Sequence, residues 1–342
     1  MKRLWLNLLI VLLVLGVLIG QVFFKGGIEN LEGFFRGLDF VWLVVALSFM
    51  AAYWLLDALN LHMLVKVCDK KHSFKEALVN TMVGAFFLGV TPFSSGGQPA
   101  QIYLLSKSGL GPGVSTSVII TKTMSHSIVV FLIALVSVIT KGAFYAVRIP
   151  GFFTLFLLGF LVSSLVSLTY ILAIYKMEIA RKLISFIFSL PRKIKILRRF
   201  AKYEKKALEE IELYSNSAQL LKNSATVVSS SIALQTLRHI LFLSVPYLIY
   251  LSVDIPHTES LLAMVAAHSM ITIIVLIMPT PGSAGIIEGS GYVFFSLFFE
   301  KSLLFPVILV WRMITYYSTI IVGGAVSVLA LRKPSGKRET AA

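Results

Sequence analysis

Two ionisable residues stand deep in apolar sequence. Glu288 closes the Gly-rich stretch TPGSAGIIE (280–288), and Arg312 lies about ten residues into the apolar run 303–331. A charge at a bilayer centre costs roughly 2.5–3.5 kcal/mol on insertion scales, so each needs a partner or a task. A guanidinium can hold a phosphate through its planar fork of donors. A carboxylate there could meet a cationic group or carry a proton. A second stretch, TPFSSGGQ (91–98), repeats the first as T-P-x-S-x-G. Thr91 matches Thr280, Pro92 matches Pro281, Ser94 matches Ser283 and Gly96 matches Gly285, with Gln98 and Glu288 one residue out of register. Backbone N–H groups of such loops, and the helix N-termini that follow them, attract anions. The candidate binding residues are therefore Thr91, Pro92, Ser94, Gly96, Gly97, Gln98 and Gln101 on one side. On the other side are Thr280, Pro281, Gly282, Ser283, Gly285, Glu288, Arg312 and Tyr316.

Other polar residues interrupt apolar runs. Asp57 and Asn60 share one helix face, Lys122 and His126 another, and Gln235 lies near Arg238 and His239. Asp57, Lys122, His126 and Arg238 are candidates for an ion pair or a proton relay; a purely structural Asp57–Lys122 pair is the plainer reading. His126, His239 and His268 read more plainly as packing residues. No His/Cys/Asp/Glu set has metal spacing, and no G-x-S-x-G elbow or phosphate-cradling Lys loop occurs. The Ser residues at 94, 95 and 283 have no base beside them in sequence. Cys68 stands alone, which excludes an intramolecular disulfide. No metal and no cofactor is expected.

The elements that must position these residues follow from composition. The 342 residues are 57% hydrophobic and 14% charged. Runs long enough to span a bilayer cover 4–24, 40–65, 114–140, 151–175, 225–251 and 303–331. They are continuous rather than alternating, which argues against a barrel. The first is too long for a signal peptide and reads as a retained helix. The net charge of +15 reflects sidedness rather than nucleic-acid binding. With both termini cytoplasmic, 23 of 31 Lys and Arg fall inside and five outside, as the positive-inside rule expects. Residues 25–39 are then a short outer loop, 176–224 a basic amphipathic segment on the cytoplasmic membrane face or a solvated linker, and 332–342 a basic tail.

Segments 78–106 and 261–300 must each begin and end on one side, and each is broken by Pro and Gly. They read as helical hairpins entering from opposite faces. The expected fold is an all-α polytopic membrane domain over 1–331, with about six full helices and two broken hairpins in an inverted repeat. Repeats of this kind, with broken helices meeting near the midplane, mark transporters. Irregular backbone at that depth must be buried in protein or line water, so the two loops are expected to face one another across a polar cavity. A lipid phosphate is a natural ligand for it; two kinked structural helices would be the plainer reading.

The stretches TPFSSGGQPAQIYLL, PTPGSAGIIEG and WRMITYY resemble the transmembrane domain of the lysylphosphatidylglycerol synthases, the flippase-like family that includes the multiple peptide resistance factor. The resemblance covers about residues 5–330. It implies a lipid flippase that moves aminoacylated phosphatidylglycerol, or a related anionic phospholipid, to the outer leaflet and confers resistance to cationic peptides. Gln98, Pro99, Gln101, Glu288 and Arg312 match motif positions, although some relatives carry Glu at the position of Gln98. Full-length synthases have a soluble aminoacyl-transferase domain after the membrane part, whereas this sequence ends at RKPSGKRETAA. The expectation is therefore a multi-pass transporter of the cell (inner) membrane rather than an enzyme. Its partners are the bilayer, a phospholipid substrate and, as a candidate, a separate lipid synthase. A phosphatidylglycerol lysyltransferase, a non-transporting partner of a synthase, and a polyprenyl phosphate or glycolipid cargo stay open as alternatives.

Overall fold

The structure, a computed structural model, describes residues 27–69, 71–176, 204–276, 283 and 285–332. The expected helix 4–24, the tail from 333, most of the basic segment, and Thr280, Pro281 and Gly282 lie outside the described residues. All regular elements among the described residues are helical. They are α1 (Gly27–Arg36), α2 (Phe40–Cys68), α3 (Phe74–Val90), α4 (Gly97–Leu105), α5 (Pro112–Arg148), α6 (Phe152–Tyr175) and α7 (Glu204–Asn223). There follow α8 (Ala225–Ser252), α9 (Leu261–Val275), α10 (Ile286–Phe295), α11 (Lys301–Arg312) and α12 (Ser318–Arg332). The last two form one span joined by a π-turn, Met313–Tyr317. Among the described residues, five helices are long and apolar enough to cross a membrane.

Local chemistry sets the helix ends. Asp39 caps α2 through Val41 N (2.9 Å). Ser73 and Glu76 form a reciprocal capping box at the start of α3. Ser260 caps α9. α5 begins with Pro112 at its first turn and stops before Pro150, longer than the 114–140 expected because no breaker intervenes. The connection expected over 25–39 holds a short helix, α1, carrying an i,i+4 ion pair between Glu32 and Arg36.

The repeat-related helices α2 and α8 pack side by side and antiparallel. Asp39 N donates to Ser252 O (2.8 Å) at one end. Farther along, Tyr53 meets Arg238 and Phe242, and Asp57 meets Gln235. Numbers rise on one helix as they fall on the other, so the two halves are inverted. The outer packing follows the same exchange. α3 packs on α12, and just before it Tyr316 Oη of the π-turn donates to Gly89 O (3.1 Å). Its counterpart α9 packs on α5, where Tyr145 Oη donates to Ala263 O (2.6 Å).

Each hairpin pairs a longer limb with a short one. At 1.5 Å per residue, α3 is ~25 Å long but α4 only ~14 Å; α9 is ~22 Å and α10 ~15 Å. The short limbs cannot cross a hydrocarbon core of ~30 Å. The limbs of the first hairpin run antiparallel, as Asn80 Nδ2 donates to Gln101 O (2.9 Å). An aromatic core of Tyr145, Phe152, Phe294, Phe295, Phe299 and Trp311 fills one end of the bundle. Leu61, Leu64, Val65, Leu105, Val118 and Leu221 fill the other. α6 lies outermost and exposes Phe153, Leu157, Leu161 and Leu165, as a lipid-facing helix should. α7 docks rather than lying free: Glu210 accepts from Gly113 N (2.7 Å) at the start of α5, and Tyr214 Oη donates to Ala173 O (2.7 Å).

Candidate functional site

The matched serines of the two motifs share a backbone conformation. Ser94 has φ 51° and its counterpart Ser283 has φ 53°. Left-handed backbone is uncommon and costly for a residue with a Cβ. In the first loop Phe93 is left-handed too, at 54°. The helices that follow open on the same hydrogen bond, Ala100 N to Gly96 O (3.2 Å) and Gly289 N to Gly285 O (3.0 Å). The loops are closed differently. Thr91 Oγ1 donates to Phe87 O (2.7 Å) and accepts from Gly96 N (2.8 Å). In the second loop the Glu288 carboxylate accepts from Gly285 N (2.6 Å). Gly285 sits at φ 90°, which a glycine tolerates and other residues rarely adopt.

Both loops line one cavity of about 370 Å³. Ser94, Gly97, Gln98 and Gln101 contribute from the first hairpin, and Ser283 from the second. Arg312 and Tyr316 line it from the last span, and Asp57, Lys122, His126 and Arg238 from α2, α5 and α8. One cavity is thus lined by residues of the first loop and by Ser283 of the second. Thr91, Pro92, Gly96, Gly285 and Glu288 do not line it; Thr91 and Glu288 instead bond the backbone of Gly96 and Gly285. The lining also includes Tyr53, Trp54, Thr81, Phe242 and Trp311, which sequence reasoning did not single out. Only their place on the α2, α3, α8 and α11 faces that carry the charged residues could have flagged them.

The polar cluster is built around Asp57. Its Oδ2 accepts from Lys122 Nζ (2.6 Å), and its Oδ1 accepts from Gln235 Nε2 (3.2 Å). Arg238 Nε stands 3.5 Å from Oδ1, a charge contact without a hydrogen bond. The guanidinium also donates to Gln235 Oε1 (2.6 Å) and to Tyr53 Oη, meets His126 Nδ1 at 3.3 Å, and stacks 4.1 Å over the Tyr53 ring. The ion pair and relay candidates therefore form one network with one carboxylate and two cations. A buried pair offsets its desolvation only with such extra partners.

Glu288 and Arg312 pair with each other. Arg312 Nε lies 2.9 Å from Glu288 Oε1. The contact is an ion pair by distance, but the N–H is not aligned for a hydrogen bond, and neither atom has a hydrogen-bonding partner among the described residues. Arg312 is 2% exposed, stacks 4.0 Å over Tyr316, and has no hydrogen-bond partner for Nη2 among the described residues. The Trp311 indole N–H, a donor only, is likewise unpartnered and buried. Arg312 sits where α11 passes into the π-turn, a distortion frequent at functional sites. Lys122 stands at nearly the same depth in α5 as Arg312 in the last span, so each repeat places one buried cation on its closing helix.

A model of the family described as "Lysylphosphatidylglycerol synthase TM region" matches residues 4–323. The chain belongs to this family. A relative from Archaeoglobus fulgidus, described as a UPF0104 membrane protein, is 26% identical over 291 residues, covering 84% of this chain and 85% of the relative. No solved structure matches. As a family member the chain is a multi-pass membrane protein, and the cavity lies among its spanning helices.

Proposed function

We propose that the protein carries an anionic phospholipid between leaflets. Its head group would occupy the cavity while the acyl chains stay in lipid. One observation carries this reading: two inverted broken loops and three buried cations line one cavity. Counted with Glu288 behind Arg312, the site has one cation more than it has carboxylates. Such an excess suits one monoanion, and a desolvated anion would be held far more strongly there than in water. Arg312 Nη2 and Trp311 Nε1 are buried donors awaiting an acceptor, which a phosphate oxygen supplies. Ser94, Ser283 and Gln98 would complete the contacts, Tyr316 would hold the Arg312 plane, and Glu288 would aim it. Alternating access would rock one repeat against the other around this site. The distribution of Lys and Arg supports cytoplasmic termini in a cell membrane. A separate lipid synthase would be the source of a modified cargo.

The test is transbilayer movement of a fluorescent phosphatidylglycerol in proteoliposomes, read by a membrane-impermeant quencher. Wild type should move the lipid, and Arg312→Gln and Glu288→Gln should lose movement while remaining folded. Folded wild type that moves no lipid, with or without a proton gradient, would refute the proposal.

A further inference from the structure

We infer that the head group accepted by this cavity is a hydroxyl-bearing phosphodiester without a fixed positive charge, rather than an aminoacyl or amine-bearing one. The inference rests on the transport reading and names its cargo class.

The argument begins with where carboxylates are missing. Of the 16 Asp and Glu in the chain, Asp57 and Glu288 are the two that fall in the interior of membrane-spanning or hairpin sequence; Glu300 stands at the very end of the second hairpin, before α11, and the others flank helices or lie in the connecting and terminal segments. The stretch 277–284 contains no acid, and neither do residues 1–26. Both interior carboxylates are already engaged. Asp57 faces Lys122 and Arg238 and accepts from Gln235. Glu288 faces Arg312 and accepts from Gly285 N. An ammonium entering the cavity would therefore meet excess positive charge with no free counter-ion.

Aromatic faces could replace a carboxylate, but most of those on the wall are occupied. Arg238 covers Tyr53 at 4.1 Å and Arg312 covers Tyr316 at 4.0 Å. Phe242 packs against His268 at 4.6 Å, and Trp311 packs against Phe295 at 5.0 Å. Trp54 and Phe93 remain, on separate elements. A cation–π contact with one of them would be set against repulsion from the one cation in excess.

The neutral polar wall suits hydroxyls. Thr123, Thr272, Thr315 and Thr319 all line the cavity, and each donates its proton to a carbonyl of its own helix. Their oxygens are left as acceptors, as polyol hydroxyls require. Arg312 Nη2 and Trp311 Nε1 supply donors for the phosphate. A monoanionic polyol phosphodiester balances the excess cation. A zwitterionic amine lipid leaves it in place, and a lysyl ester with two ammonium groups increases it.

The experiment is displacement of a short-chain fluorescent phosphatidylglycerol from the purified full chain in mild detergent. The competitors are unlabelled phosphatidylglycerol, phosphatidylinositol, phosphatidylethanolamine and lysylphosphatidylglycerol. The first two should displace the probe, and the last two should need on the order of tenfold higher concentration or more, equivalent to at least about 1.4 kcal/mol. Gln98→Glu places a carboxylate on the wall and should narrow or invert the gap between lysylphosphatidylglycerol and phosphatidylglycerol. Lysylphosphatidylglycerol displacing wild type as well as phosphatidylglycerol does would overturn the inference. If it is also moved across proteoliposomes, the transport reading stands and the cargo class falls. The expected ranking without transbilayer movement leaves the cargo class and removes the transport reading. Displacement by no lipid removes both.

Discussion

The Asp57 network makes a sharp prediction about asymmetry. Asp57→Asn keeps the shape of the side chain but leaves Lys122 and Arg238 facing one another in the bundle without a carboxylate. Breaking a buried pair from one side costs about 3–5 kcal/mol, because an uncompensated charge stays buried. Lys122→Met is different. It leaves Asp57 with Arg238 Nε at 3.5 Å and the Gln235 amide at 3.2 Å. The residual charge is balanced, so the cost should be about 1–2 kcal/mol. The double variant should cost less than the two singles combined, because Arg238 alone retains Tyr53, Gln235 and His126. The chain has 342 residues, so at roughly 2.1 cal/mol/K of unfolding entropy per residue each kcal/mol shifts the melting temperature by about 1.4 °C; Asp57→Asn should lower it by about 4–7 °C and Lys122→Met by about 1–3 °C. Intrinsic-fluorescence melting in mild detergent reads both. Equal losses in the two single variants, or strict additivity in the double, would refute the reasoning, since either would mean that Arg238 shares no charge with Asp57.

Other predictions concern the frame of the site. Gly285→Ala meets no atom within 4 Å but forces an alanine to φ 90°, so it should cost about 1–3 kcal/mol through the backbone alone. Ser283→Gly removes a left-handed penalty and should stabilise by about 1 kcal/mol; melting of the two variants should therefore shift in opposite directions. In Gly113→Ala the new Cβ would lie 2.2 Å from Glu210 O, so α7 must leave its seat. Faster hydrogen exchange across 204–223 would show it, and unchanged exchange would speak against the docking described above. Tyr145→Phe loses the bond to Ala263 O and should cost about 1 kcal/mol, seen as a drop of about 1–2 °C in melting temperature with the fold intact.

The sequence by itself determined the class, the hairpins and the repeat. Long apolar runs can only be helices in lipid, and Pro with Gly must break them, so the break positions are written locally. The matched T-P-x-S-x-G stretches announced a shared loop, and Ser94 and Ser283 adopt the same left-handed backbone. Glu288 and Arg312 were visible as misplaced charges, but their union was not. Their spacing of 24 residues crosses a turn and a helix start, and only the packing of α10 against α11 brings them together. The same holds for Arg238. In sequence it is one charge on a helix, and in the structure it touches Tyr53, Asp57 and His126 on two other helices. Which polar groups face the cavity and which shape its wall depends on the crossing of antiparallel spans. Thr91 illustrates this, since its hydroxyl closes its own loop instead of meeting a ligand. Periodicity assigns a residue to a helix face, but tertiary packing decides what that face meets.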